Sequence, residues 1–498
     1  MKIRLFILLS ILSINYLSAQ DSTKSEAIKQ SFKRNLYPLI KPKYISYPLM
    51  SGYILQKKSA EGDPFAQHEL GLRYLLGKGF KPDTIKAISL ISKAAERNIA
   101  SARYNNGILQ LNGIGLKWDP FSAFENIKFA AESGMPEAQY VMGIFYTDDL
   151  IVIRNLNNAK SWFRKSAENG FEPAKRALSE LQVSVLNFVP ESSPDTSQAE
   201  NDGIQSEYQI ELLNLAQDSE TEIDSLRKIF SSADSKKVKK ILGISFYQVE
   251  DTSNSSLLNY ACGQGSPEAL FIKGILEQVS SKNQQSIINS AELLVKSFRL
   301  GSFKALEELM KLAKRDDFFR IIKKQIDLQN PKAMYVWASL IALGLDFQLT
   351  PNQAFDLLVK AAKLNHINSL IEIGLCYYNG NLVEKNIDKA IETWTKATKL
   401  GSIEASVRNA FIMIQNSAEN NRQQENVKIL VDASNSGSVI AQAYLAYCYE
   451  KGIGVHQQKS EAERLYRIAA KRGNQAAYNS LKRMYDELRP DKEEFKLY

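Results

Sequence analysis

Along most of the chain, apolar residues return every three or four positions for about a dozen residues and then give way to a glycine-rich turn. In Ala66-Gln-His-Glu-Leu-Gly-Leu-Arg-Tyr74, the residues Ala66, Leu70 and Tyr74 stand at four-residue steps. That spacing lines up one stripe of an α-helix and cannot line up one face of a strand. A second apolar stretch, Ala87-Ile-Ser-Leu-Ile-Ser-Lys-Ala-Ala95, follows after Gly77-Lys-Gly79. The pattern therefore predicts two helices joined by a tight turn.

This helix pair recurs. Gly71, Gly107 and Gly143 are 36 residues apart, and each lies five residues after an alanine, Ala66, Ala102 and Ala138. The same interval separates Ala87, Ala123 and Ala159, and again Ala95, Ala131 and Ala167. In the second half, Ala338, Gly374, Ala410 and Ala446 keep the 36-residue spacing, and Asn365, Gly401, Gly437 and Gly473 close those units. Small residues at fixed phases mark places where two helices approach closely, and a fixed period of this length is the signature of a stacked array. Gly77/Gly79, Gly113/Gly115 and Gly452/Gly454 supply the positive φ angles that reverse the chain. Asn98, Gly134 and Gly170 fall where a left-handed residue ends the second helix.

The joint pattern Ala-x-x-x-Leu-Gly-x-x-Tyr, Gly-x-Gly, Asp, Ala and Ala-Ala resembles the Sel-one-like repeats, relatives of the tetratricopeptide repeats. Its residues here are Ala66, Leu70, Gly71, Tyr74, Gly77, Gly79, Asp83, Ala87, Ala94 and Ala95, with a second clear copy in Ala441 to Tyr449 followed by Gly452-Ile-Gly454. The resemblance covers most of residues 60 to 182 and 333 to 482. It implies an all-α fold, a right-handed α-solenoid of stacked antiparallel helix pairs with a 36-residue period. It also implies a scaffold or adaptor that binds protein or peptide partners.

Departures from the repeat divide the chain. Residues 1–19 read as a signal peptide, 20–60 as an N-terminal helical cap interrupted by Pro38 and Pro42, and 61–188 as a first repeat array. Pro190 to Gly203 carries acids, no Lys or Arg and almost nothing apolar, so 189–207 is expected to be a flexible acidic linker. Residues 208–332 read as degenerate helical repeats, with deletions around Gly243 and between Lys311 and Asp317, and 333–498 as a second array with a C-terminal cap. Asp149-Leu-Ile151 stands where a Gly-x-Gly is expected, so that turn has to be built differently.

Lys2 and Arg4 precede the apolar run Leu5 to Leu12, and Ser18-Ala19 ends the segment. This is the arrangement of a secretory signal, too short to span a bilayer. The chain is expected to be exported, to a periplasm or beyond the cell. Its formal charge of +8 is spread over the helices and not gathered into a basic block with aromatics, so no nucleic-acid partner is expected. Three cysteines, Cys262, Cys376 and Cys448, are too few for a disulfide framework in an exported protein. Cys376 and Cys448 lie two units apart and are expected to be buried, unbridged residues.

The search for catalytic chemistry returns little. His68-Glu69 opens like a zinc-protease motif, but Leu72 takes the second histidine's place. Gly77-Lys78 lacks the Ser or Thr of a phosphate loop. His68, His366 and His456 occupy three phases of the repeat, so stacking brings no metal set together, and they are expected at the surface. Some exported relatives are described as penicillin-binding or β-lactamase-like, but they carry a cysteine pair in each repeat. Here there is none, and the single Ser-x-x-Lys, Ser225 to Lys228, has no accompanying Lys-Thr-Gly. A cell-wall-directed hydrolase is the alternative to a non-catalytic binding protein. No cofactor is expected.

A candidate contact surface follows from helix geometry. On each first helix, positions two before and five after the small residue fall together, opposite the apolar stripe. These hold Glu69, Asn105, Glu372, Arg408, Tyr444 and Lys451. In the resembled class the first helix lines the concave surface, so this ridge is the expected place for a partner or else a solvated polar face.

Overall fold

The computed structural model describes residues 46–186, 229–231, 235–244, 251, 253–280, 283–416 and 420–497. The expected signal peptide, the first cap helix, the acidic linker, Ser225 and most of the helix pair expected between Tyr208 and Phe230 lie outside the described residues. The chain divides into two units, Met1–Gln209 with Tyr485–Tyr498, and Ile210–Met484. Among the described residues every regular element is a helix.

The first unit opens with α1 (Ser46–Leu49) and α2 (Gly52–Ala60). Three helix pairs follow: α3 (Pro64–Leu76) with α4 (Thr84–Glu96), α5 (Ala100–Asn112) with α6 (Pro120–Glu132), and α7 (Pro136–Phe145) with α8 (Leu156–Glu168). Then comes α9 (Glu172–Leu186). Local chemistry sets the helix starts. Asp63, Asp83, Asp119 and Asn155 accept hydrogen bonds from backbone N–H groups in the first turn, and Pro64, Pro120 and Pro136 sit where a missing N–H costs nothing.

The second unit begins with α10 (Ser235–Ile241), α11 (Asn254–Gly263), α12 (Pro267–Ser280), α13 (Gln284–Arg299), α14 (Phe303–Ala313) and α15 (Phe318–Asp327). It continues through the pairs α16 (Pro331–Ala342) and α17 (Pro351–Lys363), α18 (Ile367–Asn379) and α19 (Ile387–Lys399), α20 (Ile403–Asn416) and α21 (Asn420–Asn435), and α22 (Val439–Lys451) and α23 (Lys459–Lys471). It ends in α24 (Gln475–Asp486). Within each unit, the two helices of every repeat pair, and most neighbouring pairs, pack against one another, giving the α-solenoid expected of the repeat.

The small-residue phase is a real helix contact. A Cβ at Gly71 would lie 2.8 Å from Ile91 Cγ1, and one at Gly374 would lie 2.1 Å from Trp394 Nε1. Trp394 is fully buried there and donates Nε1 to the Ile371 carbonyl at 3.0 Å. The apolar stripe is core: Ala66, Leu70 and Tyr74 are all buried. Cys262, Cys376 and Cys448 are buried, free thiols.

Within the second unit, turns distant in sequence meet through the main chain. Val439 N donates to the Gln264 carbonyl at 3.2 Å, Glu268 N to Arg472 at 3.3 Å and Gln475 N to Gly301 at 3.2 Å. The Asn474 side chain adds a bond to the Leu300 carbonyl at 2.9 Å. The last repeat is thus joined to the degenerate region by backbone groups, which every sequence supplies and no side-chain pattern announces.

Candidate interaction surfaces

The expected ridge is largely internal. Both of its readings, partner contact and solvated face, suppose exposure, yet Asn105 is 0%, Glu69 6% and Arg408 8% exposed. In the first unit, Glu69 accepts from Arg73 Nε at 3.0 Å, and Arg73 Nη2 continues to the Pro48 carbonyl at 2.9 Å. The Asn105 amide donates to His68 Nε2 at 2.7 Å. His68 is completely buried, and burial lowers its pKa to about 3, so the ring is a neutral acceptor.

In the second unit, Glu372, Arg408 and Tyr444 belong to one polar network centred on Arg299, the last residue of α13. Arg299 donates Nε and Nη2 to the two Glu404 oxygens at 3.1 and 2.9 Å, Nη1 to Tyr335 Oη at 2.6 Å, and Nη2 to Asn368 at 3.0 Å. Glu372 Oε2 lies 3.6 Å from Arg299 Nη1. Arg408 donates Nε and Nη2 to Glu404 Oε1 at 3.1 and 3.0 Å and reaches Tyr444 Oη at 3.5 Å. Tyr444 stacks on Phe411, with ring centroids 3.9 Å apart. Burial alone would raise the Glu404 carboxyl, but Arg299 and Arg408 pull it down to about 2. Glu372 is raised because burial outweighs the same two cations. Lys451 alone of the six ridge residues is exposed, and it pairs with Glu450 at 2.7 Å.

The expectation of surface histidines is corrected as well. His68 is core, and His366 is mostly covered, bonded to Glu292 Oε1 and Ser369 Oγ at 2.9 Å each. Only His456 is exposed. A partner in reach was what the sequence could not show: Asn105 and Glu292 supply polar matches for rings placed inside the stack. Among the described residues, no group of three or more His, Cys, Asp or Glu is arranged to hold a metal.

Two further features stand apart from the ridge, an exposed line on the second unit and a covered turn on the first. On the second unit, Leu328, Leu364 and Leu400 are 67%, 49% and 42% exposed and stand 36 residues apart. Each is the residue just after a second helix, at the end of α15, α17 and α19. Lys324, Lys360 and Lys396, all exposed, precede them by four residues on the same stripe. Lys363 and Lys399 add two more exposed cations, while Lys396 is paired with Glu392 at 2.8 Å. Three consecutive units thus present a line of leucines beside a line of lysines. The repeated Lys-x-x-x-Leu at 36-residue spacing was visible in the sequence.

On the first unit, the third inter-helix turn lacks its glycines and is buried at Thr147, Asp148, Leu150, Ile151 and Val152. The Asp148 carboxylate accepts from Leu150 N at 3.2 Å and shapes the turn that Gly-x-Gly makes elsewhere. The carbonyls of Leu150 and Ile151 accept from Arg489 in the C-terminal segment, at 2.8 and 3.0 Å.

The repeats place the chain among known proteins. The Sel1 repeat model matches residues 64–99, 100–135, 136–171, 331–366, 367–402 and 439–474. The chain is similar to the crystal structure of a Sel1 repeat protein from Oxalobacter formigenes, at 34% identity over 26% of this chain and 96% of that one, with a TM-score of 0.25. It is also similar to a protective antigen present in uropathogenic Escherichia coli strains and displaying an SLR fold, at 21% identity over 88% of this chain and 83% of that one, with a TM-score of 0.31. The chain belongs to the Sel1 repeat proteins, a class of helical repeat scaffolds suited to protein–protein interaction.

Proposed function

We propose that this protein is an exported, non-catalytic repeat scaffold that binds protein or peptide partners in the cell envelope or outside the cell. Export rests on the charged and apolar pattern of Met1 to Gln20. No helix among the described residues is long and apolar enough to cross a membrane.

The observation that carries the binding role is the Lys–Leu ladder on the second unit. Isolated exposed leucines need no explanation, but three at one repeat phase form a line that stays largely open to solvent. The flanking lysines select the occupant, a partner segment with acidic and apolar side chains in alternation with the repeat. The ridge from Glu69 to Lys451 is a poorer contact, since all but Lys451 would have to give up internal hydrogen bonds or ion pairs to reach a partner.

A photo-crosslinking side chain at Leu364 tests this in the native envelope fraction. The control is the same group at Asn352, exposed near the other end of α17 and roughly 18 Å away at 1.5 Å per residue. A discrete adduct at 364 and none at 352 is expected. Equal labelling at both positions would remove the ladder's claim.

A further inference from the structure

The C-terminal segment of the chain is seated on the first unit as a ligand would be. After α24 ends at Asp486, Pro490 keeps that helix from continuing, and one 3-10 turn, Glu493–Phe495, follows. Phe495 is completely buried. Its ring meets Phe121 and Phe124 edge-on, with centroids 5.1 and 5.5 Å away. Tyr485 closes the same apolar patch against Trp118 at 5.3 Å.

Arg489 orients the segment. It donates to the Leu150 and Ile151 carbonyls in the glycine-less turn, and also to Asp486 and the Phe495 carbonyl, while its guanidinium lies 5.2 Å over the Phe121 ring. At the rim, Lys492 pairs with Glu125 and Glu494 with Lys128. Both rim pairs are partly exposed, so each contributes little. The arrangement is a buried aromatic anchor and an arginine surrounded by polar rim contacts, the anatomy of an interface and not of a folded core.

We propose that this groove is an exchangeable peptide-binding site, held closed by the chain's own C-terminal segment and opened to a partner segment that carries a cation, an acidic pair and an aromatic in the same order. Two observations favour exchange over permanent closure. The segment has almost no secondary structure to lose when it leaves, and its hold rests on one ring and one guanidinium. A tethered segment faces its site at an effective concentration on the order of millimolar, so a modest intrinsic affinity keeps it docked while a tighter partner still displaces it. The site also explains why the third turn departs from Gly-x-Gly: its carbonyls and apolar side chains form one wall. It is independent of the leucine ladder, which lies on the other unit, so either can fail alone.

The test uses a fluorescent peptide of residues 487–497 and fluorescence anisotropy. The full chain carrying Phe495→Ala should bind the peptide about tenfold more tightly than the native chain, because the internal competitor is weakened. A chain ending at Leu488 should bind it at least as well, and the peptide with its own Phe495→Ala should bind neither protein. Helicity and melting of each variant are compared with the native chain. A Phe495→Ala chain that folds normally yet binds the peptide no better than the native protein would overturn the proposal. So would a concentration-dependent dimer lost on the Phe495→Ala change, which would make a second copy the occupant.

Discussion

Arg299 grips Glu404 through two parallel hydrogen bonds, Nε to Oε1 at 3.1 Å and Nη2 to Oε2 at 2.9 Å, across 105 residues of sequence. Both side chains are almost wholly buried, 6% and 10% exposed, so neither has water to fall back on. Removing one partner of such a pair strands the other. Arg299→Ala should therefore cost about 3–5 kcal/mol of stability, read as a fall in the urea midpoint. Replacing both partners with apolar residues of similar size should cost less than the single change.

The same network fixes a response to acid. Burial works to raise Glu404 and Glu292, but Arg299 and Arg408 on the first, and the hydrogen bond from His366 with Lys332 on the second, bring both to about 2. Folded pKa values below the unfolded value of about 4.3 contribute stability that is complete above that value and lost as pH falls toward 2. Glu372, raised by burial, works the other way and gains from protonation, but it is one group against two. The melting temperature should drop between pH 6 and pH 3, and Glu404→Gln, less stable at neutral pH, should show a smaller drop over that interval.

Gly374→Ala tests the helix contact at the repeat's small position. The added Cβ would sit 2.1 to 2.6 Å from three atoms of the Trp394 indole, which is itself locked by its bond to Ile371. Overpacking of this kind costs about 1–3 kcal/mol. Gly71→Ala should be similar, since its nearest neighbours include the Ala87 carbonyl at 2.9 Å. Calorimetry on the two variants measures both.

The three thiols should be inert in the folded protein. Burial pushes Cys262 up to about 11 and Cys448 up to about 12, and Cys376 is raised by burial and by Glu372. A thiol reagent at pH 8 should label none of them in minutes and all three once the chain is unfolded, because the reactive thiolate is suppressed. Rapid labelling of Cys376 or Cys448 under native conditions would mean that the stack opens locally.

Much of the fold was legible because a stacked repeat writes its contacts at a fixed interval. Gly71, Gly107 and Gly374 announce close helix approach, and Gly77 with Gly79 announces the turn. The ridge was legible as a phase but not as an environment. Glu372 and Arg408 look solvent-facing in a helical projection, and only the arrival of Arg299 from a degenerate helix turns them inward. The docking of Phe495 on Phe124 was hidden for the same reason: sequence periodicity records neighbours one unit apart and is silent about partners hundreds of residues away.

The proposed binding role puts partners on the Lys–Leu line of the second unit and leaves the polar ridge to the fold. One capture experiment from the native envelope fraction compares three proteins: the native chain, the triple change Leu328→Ser, Leu364→Ser and Leu400→Ser, and the pair Arg408→Ala with Tyr444→Ala. The triple variant should melt only slightly lower, since Leu364 and Leu400 are about half covered, and lose the partner about tenfold or more, as expected when three partly exposed apolar contacts are removed. The pair variant should melt markedly lower, and its surviving folded fraction should still hold the partner. Full recovery by the triple variant, together with loss by a normally stable pair variant, would mean that partners meet the ridge and not the ladder.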